Sequence, residues 1–198
     1  MKKVGIFGGT FSPIHYGHLM LAERAYSEFE LDEVLLIPTG VSHFKDNTVI
    51  DKYERLAMTK AAVADNGHFS VSTIEVDRPG NSYTYETLLA LREANPDTEY
   101  YLIIGADSLY QLEDWYKPDL IMENAVILVA ARDCTNEDLS AKADDLMNRY
   151  KADIRIMNFP LIELSSTDIR RRVREGKSIR YMVPEAVIDY IATNGLYK

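Results

Sequence analysis

The first eighteen residues, Met1-Lys2-Lys3-Val4-Gly5-Ile6-Phe7-Gly8-Gly9-Thr10-Phe11-Ser12-Pro13-Ile14-His15-Tyr16-Gly17-His18, restrict the fold more than any other stretch. Val4, Ile6 and Phe7 form a short apolar run of the kind buried in a parallel strand. Gly8-Gly9 predicts a backbone able to take conformations closed to other residues and to approach a ligand closely. Pro13 stiffens the loop. From about Gly17 an apolar helical period begins, with Leu19, Ala22, Tyr26 and Phe29 on one face. The stretch therefore reads as strand, glycine-rich turn, helix. Backbone N–H groups at such a helix start attract anions, phosphate above all. His15 and His18 are three apart, so on a helical first turn they share a face. Two imidazoles beside a phosphate cradle point to phosphate chemistry. The glycines stand at 5, 8 and 9 and do not fit G-x-G-x-x-G, and no Gly-Lys-Ser/Thr of a Walker A loop follows.

The remaining chain alternates strands with helices. Glu33–Pro38 reads as a second buried strand, and Thr39 to Asp51 as a polar loop carrying Lys45. Tyr53, Leu56, Ala57, Ala61 and Ala64 give a helix its stripe, which Asn66-Gly67 stops. Phe69 to Val76 reads as a third strand and Arg78–Ser82 as a turn. Thr84 caps a helix running to about Ala94, with no capping box. Tyr100–Ile104 and Ala125–Ala131 are buried strands four and five, and Ile154-Arg155-Ile156 a short sixth. An amphipathic helix spans Asn136–Tyr150, a basic helix begins at Thr167, and a last helix begins at Pro184 with Val187, Ile188 and Ile191 inward. This alternation predicts an α/β fold with a doubly wound parallel sheet. Ligands in such sheets sit beyond the carboxyl ends of the strands. The loops after strands one, two, four and six carry His15/His18, Lys45, Asp107 and Ser165/Ser166.

Length and composition narrow the class. A chain of 198 residues suits one domain with a sizeable core. A net charge of -9 argues against general nucleic-acid or anionic-membrane binding. Cys134 is the single cysteine, so an intramolecular disulfide is excluded, and no Cys/His set has zinc-finger spacing. Lys2-Lys3 is not followed by the run of about 7–15 apolar residues of a signal peptide, and no stretch of about 18 apolar residues occurs. A cytoplasmic enzyme is the expectation, and the sequence leaves a homo-oligomer open.

Gly8-Gly9-Thr10-Phe11-Ser12-Pro13-Ile14-His15-Tyr16-Gly17-His18-Leu19 resembles the H-x-G-H signature of nucleotidylyltransferases, in the form used by bacterial nicotinate-nucleotide adenylyltransferases. Leu164-Ser165-Ser166-Thr167-Asp168-Ile169-Arg170, roughly 150 residues on, resembles the superfamily's I-S-S-T-x-I-R. Ser82–Leu88 is similar to the family's S-Y-T-x-D-T-L, with Glu86 in place of Asp. Gly105-Ala106-Asp107 with Asp114-Trp115-Tyr116 is similar to its G-x-D…W-Y segment. The resemblance implies a Rossmann-like nucleotidylyltransferase fold over residues 1–198, in which the helical part from about 164 to 198 completes the ATP site.

The activity implied by that resemblance is adenylyl transfer from ATP to nicotinic acid mononucleotide. The products are deamido-NAD, in NAD biosynthesis, and pyrophosphate. Mg2+ is implied with ATP as co-substrate, with no metal ligands assigned to the chain. In this reading His15, His18 and Arg170 are catalytic. Gly8, Gly9, Thr10, Phe11, His15, His18, Gly105, Asp107, Ser165, Ser166, Thr167 and Arg170 hold ATP. Lys45, Thr84, Tyr85, Asp107, Trp115, Tyr116 and Arg132 hold the mononucleotide. Lys45 stands where the family has a P-P-H-K loop, and Phe44 replaces its histidine. Arg132 stands in a family A-R-P-G loop in which Asp133-Cys134 replaces Pro-Gly. Adenylyl transfer needs positioning and charge neutralisation more than a covalent nucleophile, which suits imidazoles, hydroxyls and a guanidinium. A transferase for phosphopantetheine or nicotinamide mononucleotide, or a silent nucleotide sensor, remains the alternative at this stage.

Overall fold

A computed structural model of the chain describes residues 1–41, 50–131, 137–160 and 162–198. Its elements run β1 (Lys2–Gly9), α1 (Tyr16–Glu28), β2 (Glu33–Pro38), α2 (Lys52–Val63), β3 (Phe69–Val71), α3 (Thr84–Ala94) and β4 (Thr98–Gly105). There follow α4 (Ala106–Gln111), a 3-10 turn (Leu112–Asp114), α5 (Pro118–Asn124), β5 (Val126–Ala131), α6 (Glu137–Tyr150), β6 (Ile154–Asn158), α7 (Ser166–Arg174) and α8 (Glu185–Thr193). The strands hydrogen-bond in the order β3-β2-β1-β4-β5-β6. That order reverses direction at β1, as in the Rossmann dinucleotide-binding sheet. β1 pairs β4 in parallel with Val4 opposite Tyr100 and Ile6 opposite Leu102. β4 pairs β5 with Ile103 opposite Leu128, and β5 pairs β6 with Val129 opposite Ile156, both in parallel.

The middle stretches of β1, β2, β4 and β5 are buried because their residues form nearly continuous apolar runs. Val4, Ile6, Leu36, Ile37, Leu102, Ile103, Ile127, Leu128 and Val129 are all buried, the continuous pattern of a parallel sheet covered on both faces. Packing divides the chain into two compact units. One comprises Met1–Phe7, Leu21–Val34 and Tyr83–Leu161, and the other Gly8–Met20, Leu35–Ser82 and Ile162–Lys198. In the first, α3 packs on α5 and α4 on α6; in the second, α2 packs on α8. No helix among the described residues is long and apolar enough to cross a membrane.

Several local expectations need correction. The third strand stops at Val71 instead of reaching Val76, because Ser72 Oγ accepts from the Ile74 N–H and Asp77 N–H bonds Thr73 O. A side chain that takes a local N–H competes with the ladder. Glu75 and Val76, adjacent in the chain, are both buried, so the apolar alternation of the sequence is not an alternation of burial. Thr84 is the first residue of α3, not its cap; Tyr83 holds the cap position without a side-chain bond. α1 buries Ala22 and Ala25 fully, Leu19 and Tyr26 are half-buried, and the half-buried Phe29 follows its last residue. α8 buries Val187 and Ile191, with Ile188 half-buried, and Pro184 precedes its first residue.

Candidate active site

The turn after β1 is built by a different device from the one its glycines suggest. Neither Gly8 nor Gly9 has a positive φ; Phe11 does, at 48°. Gly9 is required because a Cβ there would lie 2.7 Å from the Phe11 ring, whereas a Cβ on Gly8 would come no closer than 4.0 Å to Ile37 O. The Ser12–Pro13 bond is cis. The turn's carbonyls are held one after another. Gly9 O accepts from Thr39 N at 2.9 Å, and Thr10 O accepts from Arg55 Nη1 at 2.7 Å. Ser12 O accepts from Arg170 Nη1 at 2.8 Å, and Pro13 O from the Ser166 hydroxyl at 2.8 Å. In a trans peptide the N–H points opposite the C=O. Anchoring the Gly9 and Thr10 carbonyls therefore turns the Thr10 and Phe11 N–H groups away from those donors.

His15 ends the turn, and its carbonyl accepts from His18 N at 2.9 Å and Leu19 N at 3.2 Å, opening α1. The two imidazoles stack, with centroids 3.6 Å apart and planes 21° apart. The Phe11 ring meets His18 edge-on at 5.1 Å. His15 N donates to His18 Nδ1 at 3.3 Å, which leaves the proton of a neutral His18 on Nε2. His15 is 6% exposed and its Nδ1 is buried without a hydrogen-bond partner among the described residues. Burial lowers the His15 pKa to about 4. Burial, with the neighbouring His15 charge, lowers that of His18 to about 3. Both rings are therefore neutral at neutral pH, each with one N–H to donate and no charge.

α7 supplies the other side of this unit. Ser165 is its N-cap, and its hydroxyl accepts from Asp168 N at 3.2 Å. α7 therefore begins at Ser166, one residue before Thr167. Arg170 is 7% exposed; besides Ser12 O its guanidinium reaches Thr167 Oγ1 at 3.3 Å. Arg171 pairs with Asp168, and Arg172 Nε donates to Ser178 O at 2.9 Å, so these cations lie on the outer face. The structure thus brings Gly9, Thr10, Phe11, His15, His18, Ser165, Ser166, Thr167 and Arg170 around one turn, with Gly8 at the strand end beneath it.

Of the residues assigned to the acceptor, Thr84, Tyr85, Asp107, Trp115 and Tyr116 lie in the other unit. Tyr83, Tyr85 and Tyr116 gather their rings, with centroids 5.0 Å apart for Tyr83–Tyr116 and 5.5 Å for Tyr85–Tyr116. Lys117 Nζ stands 4.5 Å from the Tyr85 ring centroid and 5.7 Å from that of Tyr116. The Tyr85 hydroxyl donates to Glu86 Oε1 at 2.9 Å. Thr84 opens α3, Gly105 precedes α4, and Asp107 is exposed in the first turn of α4. Trp115 is half-buried and is not a member of the tyrosine group. Lys45 and Arg132 lie outside the described residues.

Three residues around the turn were not singled out as site residues from the sequence: Arg55, Ser12 and Tyr197. Arg55 carries a readable signal, since it shares the inward face of α2 with Thr59 and Ala62. Tyr197 OH lies 3.1 Å from Ser12 Oγ, and no local pattern foretells a partner 185 residues away. Lys117 and Tyr83, which pack with Tyr85 and Tyr116, were not singled out from the sequence either.

Comparison with known proteins decides between the alternatives. A family model described as cytidylyltransferase-like matches residues 6–172. A probable nicotinate-nucleotide adenylyltransferase of Lachnoclostridium phytofermentans is 47% identical over 199 residues, covering 100% of both chains. The chain belongs to the nicotinate-nucleotide adenylyltransferase family. Another probable member, from Herpetosiphon aurantiacus, is 43% identical, covering 100% of this chain and 99% of the relative. Among solved structures, the Plasmodium falciparum nicotinic acid mononucleotide adenylyltransferase complexed with NaAD has the same fold. It aligns with a TM-score of 0.82 at 18% identity, over 100% of this chain and 98% of that one. Both family signatures, His15–His18 and Ser165–Arg170, fall in the unit that contains the turn.

Proposed function

We propose that this chain transfers the adenylyl group of ATP to nicotinic acid mononucleotide, giving deamido-NAD and pyrophosphate in NAD biosynthesis. The observation that carries the reading is the neutral, stacked His15–His18 pair at the anchored turn. It is supported by full-length relatives that carry this activity in their names. A phosphate oxygen of the mononucleotide attacks the α-phosphorus of ATP, and the bond to the β-phosphate oxygen breaks as pyrophosphate leaves with the electron pair. No proton has to move, so the chain's task is to align two anions and stabilise charge on the phosphoryl oxygens. His18 Nε2–H donates to those oxygens, and His15 holds it in that tautomer through the bond to Nδ1. The turn from Gly8 to Phe11 offers its amide face to the phosphates. Ser165, Ser166, Thr167 and Arg170 form the hydroxyl-rich helix start that receives the leaving β and γ phosphates. Gly105 and Asp107 hold ATP sugar hydroxyls.

The mononucleotide takes Lys45, Thr84, Tyr85, Asp107, Trp115, Tyr116 and Arg132. A nicotinate carboxylate accepts hydrogen bonds only, whereas a carboxamide also carries donors. The N–H groups at the start of α3 and the Lys117 ammonium beside Tyr85 and Tyr116 favour the acid. Glu86, the one acidic group in this segment, accepts from the Tyr85 hydroxyl. Mg2+ belongs to the reading as the partner of ATP. Among the described residues no group of three His, Cys, Asp or Glu side chains could hold a metal ion. Triphosphate oxygens and water would carry the ion.

The test is pyrophosphate release from ATP in the presence of each mononucleotide. Release that depends on nicotinic acid mononucleotide supports the reading, and release with neither acceptor contradicts it.

A further inference from the structure

Arg55 sits on α2 and is 2% exposed. A guanidinium offers five N–H donors, accepts nothing and keeps its charge. Burying it costs free energy unless each donor is met. Among the described residues, every direct side-chain partner of Arg55 is a backbone or hydroxyl oxygen. Nη1 donates to Thr10 O at 2.7 Å and reaches Thr39 Oγ1 at 3.5 Å. Nη2 donates to Thr39 O at 2.6 Å and Gly40 O at 2.8 Å, and Nε reaches Ile50 O at 3.4 Å. One planar fork therefore joins three segments: the turn after β1, the chain leaving β2, and the stem entering α2. The carboxylates of Asp51 and Glu75 act on it only through space.

An apolar residue of similar size would fill the volume and leave these carbonyls buried and unbonded. The same junction is tightened from the β2 side, where Thr39 N donates to Gly9 O at 2.9 Å. Gly40 is required there, since a Cβ would lie 2.1 Å from Glu75 O. The Gly9 and Thr10 carbonyls are thus both held against this junction. The guanidinium also places a buried positive charge behind the turn, where low dielectric strengthens its field at a bound anion.

We infer that Arg55 is a positioning residue for the phosphate-binding turn: its guanidinium, bonded to Thr10 O, Thr39 O and Gly40 O, fixes the amide face that meets the triphosphate. The inference rests on the reading of this turn as the ATP site. The test uses the full chain as wild type, R55K and R55Q. Thermal unfolding reports folding. Calorimetry gives affinities for ATP and for nicotinic acid mononucleotide, and steady-state assays give kcat. Lysine keeps the charge but cannot span three carbonyls, and glutamine keeps neither.

The expected result is that both variants fold and that their ATP affinity or kcat falls about 10- to 10²-fold. R55Q is the worse of the two, and mononucleotide affinity changes by less than about twofold. A folded R55K with wild-type ATP affinity and kcat overturns the inference. So does equal loss of both ligands, or failure of both variants to fold, since Arg55 is then a core residue with no action particular to the turn. Wild-type protein that binds ATP yet adenylylates neither mononucleotide overturns the functional reading alone, and the ATP affinities still decide the role of Arg55. Wild-type protein that does not bind ATP overturns both.

Discussion

The His15 imidazole lies on the His18 imidazole at 3.6 Å between centroids, and the His15 N–H donates to His18 Nδ1 at 3.3 Å. The first histidine thus sets the tautomer of the second and blocks its protonation. In this account His18 Nε2–H is the donor that follows charge onto the phosphoryl oxygens. His18→Ala should lower kcat by roughly 10²–10⁴ with a smaller change in ATP affinity. Rapid-quench and steady-state kinetics on the folded variant check this; near-normal kcat removes His18 from the mechanism.

The depressed pKa values have a consequence for stability. In the unfolded chain both rings protonate near 6.5; in the folded one they do so near 4 and 3. As pH falls below 6.5 the unfolded state binds protons that the native state does not. The contribution is therefore fully present above pH 6.5 and is lost as pH falls toward 4. Each ring adds a slope of about 1.4 kcal/mol per pH unit in that window. Urea denaturation of wild type and His15→Gln at pH 5.0 and 7.5 measures it. The stability advantage of wild type over the variant should shrink at pH 5.0, and a pH-independent difference would show that the buried rings are not neutral.

Arg170 is tied to the turn as well as to the helix start. Its bond to Ser12 O at 2.8 Å is charge-assisted and buried. Arg170→Ala should cost about 1.5–3 kcal/mol of stability for that bond. It should also weaken ATP binding more than AMP binding, because the group faces the β and γ phosphates in the proposed complex. Calorimetry with both nucleotides separates the two effects, and equal losses count against a role at the leaving phosphates.

Much of this was legible in the chain, for reasons of range. His15 and His18 are three residues apart, so one helical turn brings them together whatever the rest of the protein does. Ser165 caps α7 through Asp168, three residues on, again a local matter. The buried strands could be read because apolar runs of that length have few other fates. Arg55 and Tyr197 could not be read as turn-holders, because their partners are 45 and 185 residues away. The Phe11 backbone could not be read because a positive φ is rarely taken by a residue other than glycine, and here Gly9 is needed for room beneath the Phe11 ring instead. α4 and α5, with 6 and 7 residues, are too short for an apolar period to declare itself. The false extension of β3 came from a turn in which apolar residues alternate in the sequence while their burial does not.

Lys117 is the cation beside the tyrosine group, 4.5 Å from the Tyr85 ring. Its charge favours a carboxylate in the proposed pyridine site. Lys117→Met should reduce the preference for acid over amide mononucleotide by about three- to fivefold, the scale of one exposed charge, with little effect on the KM for ATP. A variant with unchanged preference assigns the discrimination to the backbone N–H groups at the start of α3.

The measurement that bears most directly on the whole account is kcat/KM for nicotinic acid mononucleotide against nicotinamide mononucleotide, with saturating MgATP. A donor-rich site leaves the amide nitrogen facing other donors, and hydrogen-bond mismatch of this kind discriminates by up to roughly 10⁴. The account predicts a ratio of at least about 10² in favour of the acid, with deamido-NAD and pyrophosphate formed in equal amounts. Comparable efficiency with both mononucleotides, or adenylyl transfer to neither, would contradict it.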